Sequence, residues 1–236
     1  GRYSRKNKSA LNRLSTEIAE KPEANGVVEE NSRQEFGENY RSRLKSSSPS
    51  GSMITVDPTY APVSGGRSEI LFLGAAGQRI NTAGEILCLS AMSGGLNATL
   101  KSDYPITVLR GHSICETVLS PAPINYTGIK QPDVIVALSQ EGVNRRKHLF
   151  SQLDTNTTIF AAQDVNLPET GASIVEMDFQ SPGIASTDRA LASLAAVSSL
   201  GSVITPEMLF SGLASRFTGK VLAEAETTVR TFLATL

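Results

Sequence analysis

The chain has 236 residues, of which 40% are hydrophobic and 6% are aromatic, with no tryptophan, so it can bury a sizeable aliphatic core. Its formal net charge of −1 at pH 7 argues against nucleic acid as the main partner, because phosphate contacts need clustered lysine and arginine. The sequence has no run of about 18 apolar residues and no apolar signal segment at its start, which predicts a cytoplasmic protein with no membrane contact.

Residues 1–52 are predicted to form a short helical arm and a linker. Leu11, Leu14 and Ile18 share one face of a helix over residues 8–20, and a second apolar stripe marks a helix over residues 32–44. A stretch rich in serine, glycine and proline follows. Two such helices bury their stripes poorly against each other, so we expect the arm to dock on another surface. Because the chain starts at a glycine and not a methionine, we expect the natural polypeptide to be longer.

Residues 53–236 are predicted to form one α/β domain with its core over 68–217, because strand-like and helix-like segments alternate there. No helix separates two of the predicted strands, 106–109 and 113–119, so part of the sheet should be antiparallel. The fold class is therefore a layered Rossmann-like domain with a mixed, mostly parallel sheet flanked by helices. The other predicted strands are 69–73, 95–100, 133–138, 157–161 and 173–178, and the predicted helices are 78–93, 140–153, 187–200, 205–217 and 219–235.

The turn after the first predicted strand is the main candidate site. An apolar run, residues 70–73, meets the small residues 74–77 and then a helix. Small residues let backbone N–H groups face a ligand's oxygens, and the helix adds its positive N-terminal end, so the pattern is typical of a phosphate-binding turn. Such a turn also serves merely to pack a helix closely on a strand. The dinucleotide fingerprint is incomplete, because Ala76 and Arg79 stand where it requires glycine, which disfavours a nicotinamide-dependent dehydrogenase.

Several ordered motifs carry a resemblance to one enzyme family. The stretch "ILFLGAAGQRINTAGEIL" resembles the opening of the gamma subunit of the 2-oxoacid:ferredoxin oxidoreductases, in which a strand precedes G-x-G-G-Q-G and a helix containing T-A-G. The segments "RGHS", "PDVIVAL" and "DRALASLAAV" resemble later parts of the same subunit. Parts of the arm, "GRYSRKNK" and "RQEFGENYRSRL", are similar to the C-terminal tail of the family's beta subunit, the one that binds thiamine.

The resemblance implies a component of a multisubunit enzyme that oxidatively decarboxylates a 2-oxoacid to an acyl-coenzyme A. Thiamine diphosphate and iron–sulfur clusters would belong to the partner alpha and beta subunits, with ferredoxin contacted only indirectly. This chain would contribute part of the coenzyme A site and no catalytic residue. The residues that it implies for binding are Gly74, Ala75, Ala76, Gly77, Gln78, Arg79, Thr82, Arg110 and Gly111.

Other candidates are less specific. Two cysteines 27 residues apart and two histidines cannot supply the ligands of an iron–sulfur cluster or a structural zinc. His112 and Cys115 should face opposite sides of a strand, which argues against a catalytic pair. The basic run 144–148 would suit an acidic ligand or ferredoxin, or would form the solvated face of a helix.

Departures from the family pattern leave two questions open. Ala76 fits only if its backbone keeps a negative φ or the ligand keeps some distance. Arg79 would either contact phosphate or close the site with its bulk. Two alternative functions therefore remain: a structural assembly subunit in which the turn holds no ligand, and a stand-alone module that binds a nucleotide-type small molecule.

Overall fold

The computed structural model describes residues 56–63, 66–105 and 110–236. The predicted arm and linker, residues 1–52, and the predicted strand 106–109 lie outside the described residues, and the domain boundary at residue 53 stays a prediction. The strands are β1 (Ser68–Ala75), β2 (Asn97–Asp103), β3 (His112–Ser120), β4 (Val134–Ala137), β5 (Thr158–Ala162) and β6 (Ser173–Met177). The helices are α1 (Ile80–Ser93), α2 (Gln140–Arg145), a 3-10 helix (Lys147–Gln152), α3 (Arg189–Ser199), α4 (Pro206–Arg216) and α5 (Gly219–Leu233).

Within the described ranges every predicted strand and helix is present, with bounds that differ by up to three residues. One predicted helix, 140–153, is divided: α2 ends at Arg145, and the 3-10 helix continues from Lys147. The 3-10 helix carries the buried Phe150, and at its end the N–H of Leu153 donates to the carbonyl oxygen of Phe150 at 3.3 Å, the bond between residues three apart that is typical of this helix type. None of the helices described is long and apolar enough to cross a bilayer.

The six strands form one sheet in the order β2-β3-β1-β4-β5-β6. Strand β1 pairs in parallel with β4, and β4, β5 and β6 continue in the same direction. Strand β3 alone runs the other way, antiparallel to both β1 and β2. The mixed, mostly parallel sheet of the predicted fold class is therefore confirmed, and its antiparallel part is formed by β3 with its two neighbours.

Helices cover both faces of the sheet. The apolar run of β1 divides between them: Ile70 and Phe72 pack in a core shared with α1, α3, α4 and α5, whereas Leu71 and Leu73 pack in a core shared with α2 and the 3-10 helix. A strand buried on both faces needs a continuous apolar sequence and not an alternating one. This explains why residues 70–73 carry no polar side chain.

The positions of the first two helices identify the end of the sheet where a ligand can bind. Helix α1 follows β1 on one face and leads to β2, whereas α2 follows β4 on the opposite face and leads to β5. The two chain segments therefore separate at the carboxyl ends of the neighbouring strands β1 and β4. In open α/β sheets this topological switch point is where ligands bind.

Helix α2 approaches β1 closely because Gly142 has no side chain. A Cβ built on Gly142 would lie 2.5 Å from the backbone N of Gly74 and 2.5 Å from the backbone C of Leu73. Both neighbours are backbone atoms of the central strand, so neither can move aside alone. The end of β1 is thus held directly against the first turn of α2.

The two cysteines lie between α1 and the sheet. Cys115 is fully buried on β3, and a Cβ on Gly84 of α1 would meet its Sγ at 2.3 Å. Burial raises the pKa of Cys88 to about 12 and that of Cys115 to about 11. Neither thiol is therefore activated as a nucleophile near neutral pH.

We expect Gly142→Ala to lower the free energy of unfolding by about 1–3 kcal/mol, the usual cost of forcing an extra methyl group into a packed interior. The result is to be measured by urea unfolding. Gly66→Ala is the matched control, since a Cβ there has no neighbour within 4 Å and should leave stability nearly unchanged. Equal stability of the two variants would contradict the close packing of α2 on β1.

We expect neither cysteine of the native chain to react with iodoacetamide at pH 8, where only about one Cys115 thiol in a thousand is ionised. Mass spectrometry should find both alkylated after unfolding in urea. Both folded pKa values exceed the ordinary thiol value of 9.0, so the unfolded chain loses these protons first. Stability should therefore fall as the pH rises from about 9 towards 11. Fast labelling of the native chain at pH 8 would contradict the raised pKa values and, with them, this pH dependence of stability.

Candidate functional site

The turn between β1 and α1 has an unusual backbone. Gly77 has a φ of +88°, and Arg79, at the position before α1, has a φ of +55° and a ψ of +32°. Glycine adopts the left-handed region readily, but an arginine there is uncommon. Helix α1 also begins without a side-chain cap. Its first backbone N–H groups are consequently not satisfied by a neighbouring side chain.

Three amides of this turn are bonded internally. The N–H of Ala75 donates to Gln78 Oε1 at 2.8 Å. The N–H of Ala76 donates to the carbonyl oxygen of Gly111 at 2.9 Å, and the N–H of Gln78 donates to the carbonyl oxygen of Ala75 at 3.2 Å. These three backbone groups hold the turn together and do not face outwards.

Two amides at the tip of the turn are differently placed. The N–H groups of Gly77 and Arg79 donate to no acceptor among the described residues. Both residues are exposed, and a Cβ on Gly77 would meet nothing within 4 Å. Together with the positive end of the 14-residue helix α1, these amides form a small surface suited to an anion.

Gln78 lies inside the turn and not on its surface. Its side chain is only 7% exposed, and Nε2 donates to the carbonyl oxygen of Leu138 and to Ser186 Oγ, each at 3.3 Å. Its Oε1 accepts from Ala75. The side chain thus joins the end of β1 to the end of β4 and to the segment before α3.

The Arg79 side chain reaches outwards. It is 61% exposed, and Nη1 lies 3.1 Å from Asp188 Oδ1. A surface ion pair of this kind contributes little stability, so the guanidinium is available to other acceptors. Arg79 and Thr82 line a cleft of about 420 Å³ between α1, α3, α4 and α5.

The structure brings Arg110 and Gly111 beside the turn. The hydrogen bond from Ala76 to Gly111 fixes this segment at the end of β1, and Gly111 adopts a φ of +95°. Arg110 is exposed and forms no ion pair with any residue that the structure describes. The predicted binding residues therefore gather around one turn, with Thr82 one helical turn away.

A second cleft, of about 410 Å³, opens at the switch point between β1 and β4. Ser139 follows β4 and Asp164 follows β5, so both could have been expected from the rule that ligands bind beyond the carboxyl ends of parallel strands. No sequence signal placed Ser186 and Arg189 there, because they arrive with the connection from β6 to α3. The cleft is lined by Ala75, Ala76, Gln78, Leu138, Ser139, Gln140, Glu141, Asp164, Val165, Ser186 and Arg189.

His112 and Cys115 lie on opposite faces of β3, as the sequence predicts. Cys115 packs towards α1, whereas His112 Nε2 lies 3.3 Å from Asp103 Oδ1, in a cluster with α2. Burial raises the pKa of Asp103, but the hydrogen bond and charge of His112 and the nearby Arg145 and Arg146 outweigh it, so the net shift is downwards.

The basic run 144–148 is partly neutralised within the chain. Arg146 Nη2 lies 2.6 Å from Glu116 Oε1 and 3.5 Å from Asp103 Oδ2, and Arg145 Nε lies 3.6 Å from the same oxygen. Two of its cations are thus already paired with strand carboxylates. Arg146, which is 31% exposed and contacts two carboxylates, is less available to a ligand than Arg79 or Arg110.

Two solved structures of similar fold are single subunits of oxidoreductases. The gamma subunit of a keto/oxoacid ferredoxin oxidoreductase from Geobacter sulfurreducens matches with a TM-score of 0.60 and 22% identity over 72% of this chain and 95% of that one. Pyruvate oxidoreductase subunit PORC from Thermotoga maritima matches with a TM-score of 0.50 and 17% identity over 72% and 96%.

A longer protein contains the same fold. The 2-oxoglutarate:ferredoxin oxidoreductase from Magnetococcus marinus, solved with 2-oxoglutarate, coenzyme A and succinyl-CoA bound, matches with a TM-score of 0.62 and 17% identity. The match covers 72% of this chain but only 32% of that one. At these identities the likenesses show a common fold.

No curated protein sequence matches the chain. The family model described as pyruvate ferredoxin/flavodoxin oxidoreductase matches residues 69–235. This range includes all the described helices and, apart from the first residue of β1, all the described strands. The chain therefore belongs to the pyruvate ferredoxin/flavodoxin oxidoreductase family.

Proposed function

We propose that this chain is the gamma-type component of a multisubunit 2-oxoacid:ferredoxin oxidoreductase and that it forms part of the coenzyme A site. The family match and the likeness to a gamma subunit over nearly all of that subunit's length support the first part. The presence of coenzyme A in the structure of the Magnetococcus marinus enzyme supports the second.

The observation that carries the coenzyme A proposal is the pair of outward amides on Gly77 and Arg79. They lie at the N-terminus of α1, beside the switch point of the sheet. A diphosphate accepts hydrogen bonds from such amides and gains from the positive helix end. Arg79 and Arg110 add two exposed cations at the same turn, which suits the charge of the coenzyme.

The chemistry itself belongs to other subunits. The sequence has only two cysteines, and both thiols have raised pKa values, Cys115 being fully buried and Cys88 half-buried. We assign thiamine diphosphate and the iron–sulfur clusters to the alpha and beta subunits, and contact with ferredoxin to those subunits. The role of this chain is to bind and orient the thiol carrier while its neighbours decarboxylate the 2-oxoacid and transfer electrons.

A second candidate is a purely structural subunit whose turn holds no ligand. The internal hydrogen bonds of Ala75, Ala76 and Gln78 favour it, because they stabilise the turn without any ligand. In that case the tip amides would bond only to water. The two candidates differ in whether changes at the tip affect coenzyme A.

Gly77→Asp should raise the KM for coenzyme A in the assembled enzyme about tenfold or more, because a carboxylate at the tip repels the diphosphate. The KM for the 2-oxoacid should not change. Gly201→Asp is the matched control: Gly201 also has a positive φ, of +65°, and open space around its Cβ, but it follows the C-terminal end of α3. An unchanged KM for coenzyme A in Gly77→Asp would support the structural candidate instead.

Arg79→Ala should raise the KM for coenzyme A by about threefold to tenfold, the effect of losing one exposed charge-assisted contact. Arg79→Lys should show a smaller increase, since it keeps the charge but not the planar donor set. Steady-state kinetics over a range of ionic strengths checks both variants. A lower KM in Arg79→Ala would mean that the arginine closes the site by its bulk.

A further inference from the structure

We propose that the buried side chain of Gln78 does not contact coenzyme A and is instead a positioning residue, which holds the turn so that the amides of Gly77 and Arg79 face outwards. This inference rests on the proposed coenzyme A site and specifies how that site is built. It differs from the expectation drawn from the sequence, in which Gln78 is one of the binding residues.

The hydrogen-bonding capacity of Gln78 is almost fully used inside the chain. A glutamine amide has two N–H donors and one carbonyl oxygen. Both donors have acceptors, the carbonyl oxygen of Leu138 and Ser186 Oγ, and the oxygen accepts from Ala75. The side chain is only 7% exposed, so a ligand could bond to it only after these contacts had broken.

The amide side chain replaces a backbone partner that the turn cannot supply. At Ala75 the chain leaves the sheet, and the N–H of this residue finds its acceptor in Gln78 Oε1 at 2.8 Å. A partly buried donor without an acceptor destabilises the folded chain. Gln78 thus fixes the direction in which the chain leaves β1. Its own side chain is buried, whereas its left-handed neighbours Gly77 and Arg79 are exposed.

Gly74 makes room for this arrangement. A Cβ on Gly74 would lie 2.9 Å from Gln78 Oε1 and 2.2 Å from Ile80 Cδ1. A side chain at this position would therefore displace both the positioning amide and the first residue of α1. The glycine that opens the family pattern is explained by the packing of Gln78 and not by contact with a phosphate.

The segment before α3 holds the same turn at two points. Ser186 accepts from Gln78, and Asp188 pairs with Arg79. The next residue, Arg189, has Nη1 at 2.8 and 2.7 Å from the two carboxylate oxygens of Asp164, which follows β5. The turn is therefore tied to the carboxyl ends of β4 and β5 as well as to its own strand.

The test compares Gln78→Met, which keeps the shape of the side chain but removes its hydrogen bonds, with Gln152→Met, the same change at an exposed glutamine of the 3-10 helix. In the assembled enzyme Gln78→Met should raise the KM for coenzyme A about tenfold, because the loss of one net hydrogen bond changes affinity by about that factor. The kcat at saturating coenzyme A and the KM for the 2-oxoacid should stay near the parent values. Gln152→Met should change none of them.

A second measurement separates positioning from contact. Hydrogen–deuterium exchange of the peptide that covers residues 74–80, in the assembled enzyme without coenzyme A, should be at least several-fold faster in Gln78→Met, because the Ala75 amide loses its acceptor. Parent-like exchange with a raised KM would mean that Gln78 contacts the coenzyme directly, which overturns the proposal. If Gln78→Met impairs assembly, Ser186→Ala serves in its place, because it removes one acceptor of Gln78 Nε2 without adding a charge. A raised KM for coenzyme A with faster exchange of residues 74–80 supports the positioning role, and parent-like values of both contradict it.

Failure of this inference can be told from failure of the proposed function. If Gly77→Asp and Arg79→Ala raise the KM for coenzyme A but Gln78→Met does not, the coenzyme site stands and the positioning role is wrong. If none of the three variants alters the KM, the coenzyme site itself is wrong and the positioning role falls with it.

Discussion

Strand β1 is buried on both faces and must end without leaving its last backbone groups unpaired. The pairing is supplied by Gln78, three residues after the end of the strand. Its side chain accepts from the N–H of Ala75 and donates to the carbonyl oxygen of Leu138, just after β4. Gly74 and Gly142 make this possible, since neither has a Cβ to separate the strand end from Gln78 or from α2. The rest of the site is built around that strand end.

The elements of the fold could be predicted from the sequence because their periodic patterns are strong. A continuous apolar run indicates β1, an alanine-rich apolar pattern indicates α3, and a proline marks the start of α4. The order of the strands was beyond such reasoning. Strand β3 lies between β1 and β2, although it follows both in the chain, and pairing between distant segments leaves no local pattern.

The position of the candidate site could also be predicted, but not the roles of its residues. Small residues between a strand and a helix indicate that amides are exposed somewhere in the turn. They do not reveal that Ala76 donates to Gly111, more than 30 residues later, or that Gln78 is buried. Contacts between a side chain and a distant backbone group depend on the completed fold. Ser186 and Asp188 reach the turn in the same way, through the connection from β6.

The least expected feature of the turn is an arginine in the left-handed conformation. Residue 79 takes the place of the last glycine in the G-x-G-G-Q-G pattern, and its φ of +55° is one that costs an ordinary residue about 1–2 kcal/mol. The exposed ion pair with Asp188 offsets only part of that cost. Packing does not explain the choice, since the side chain is 61% exposed. Under the proposed function, an anion at the adjacent amides would account for the strain kept at this exposed position.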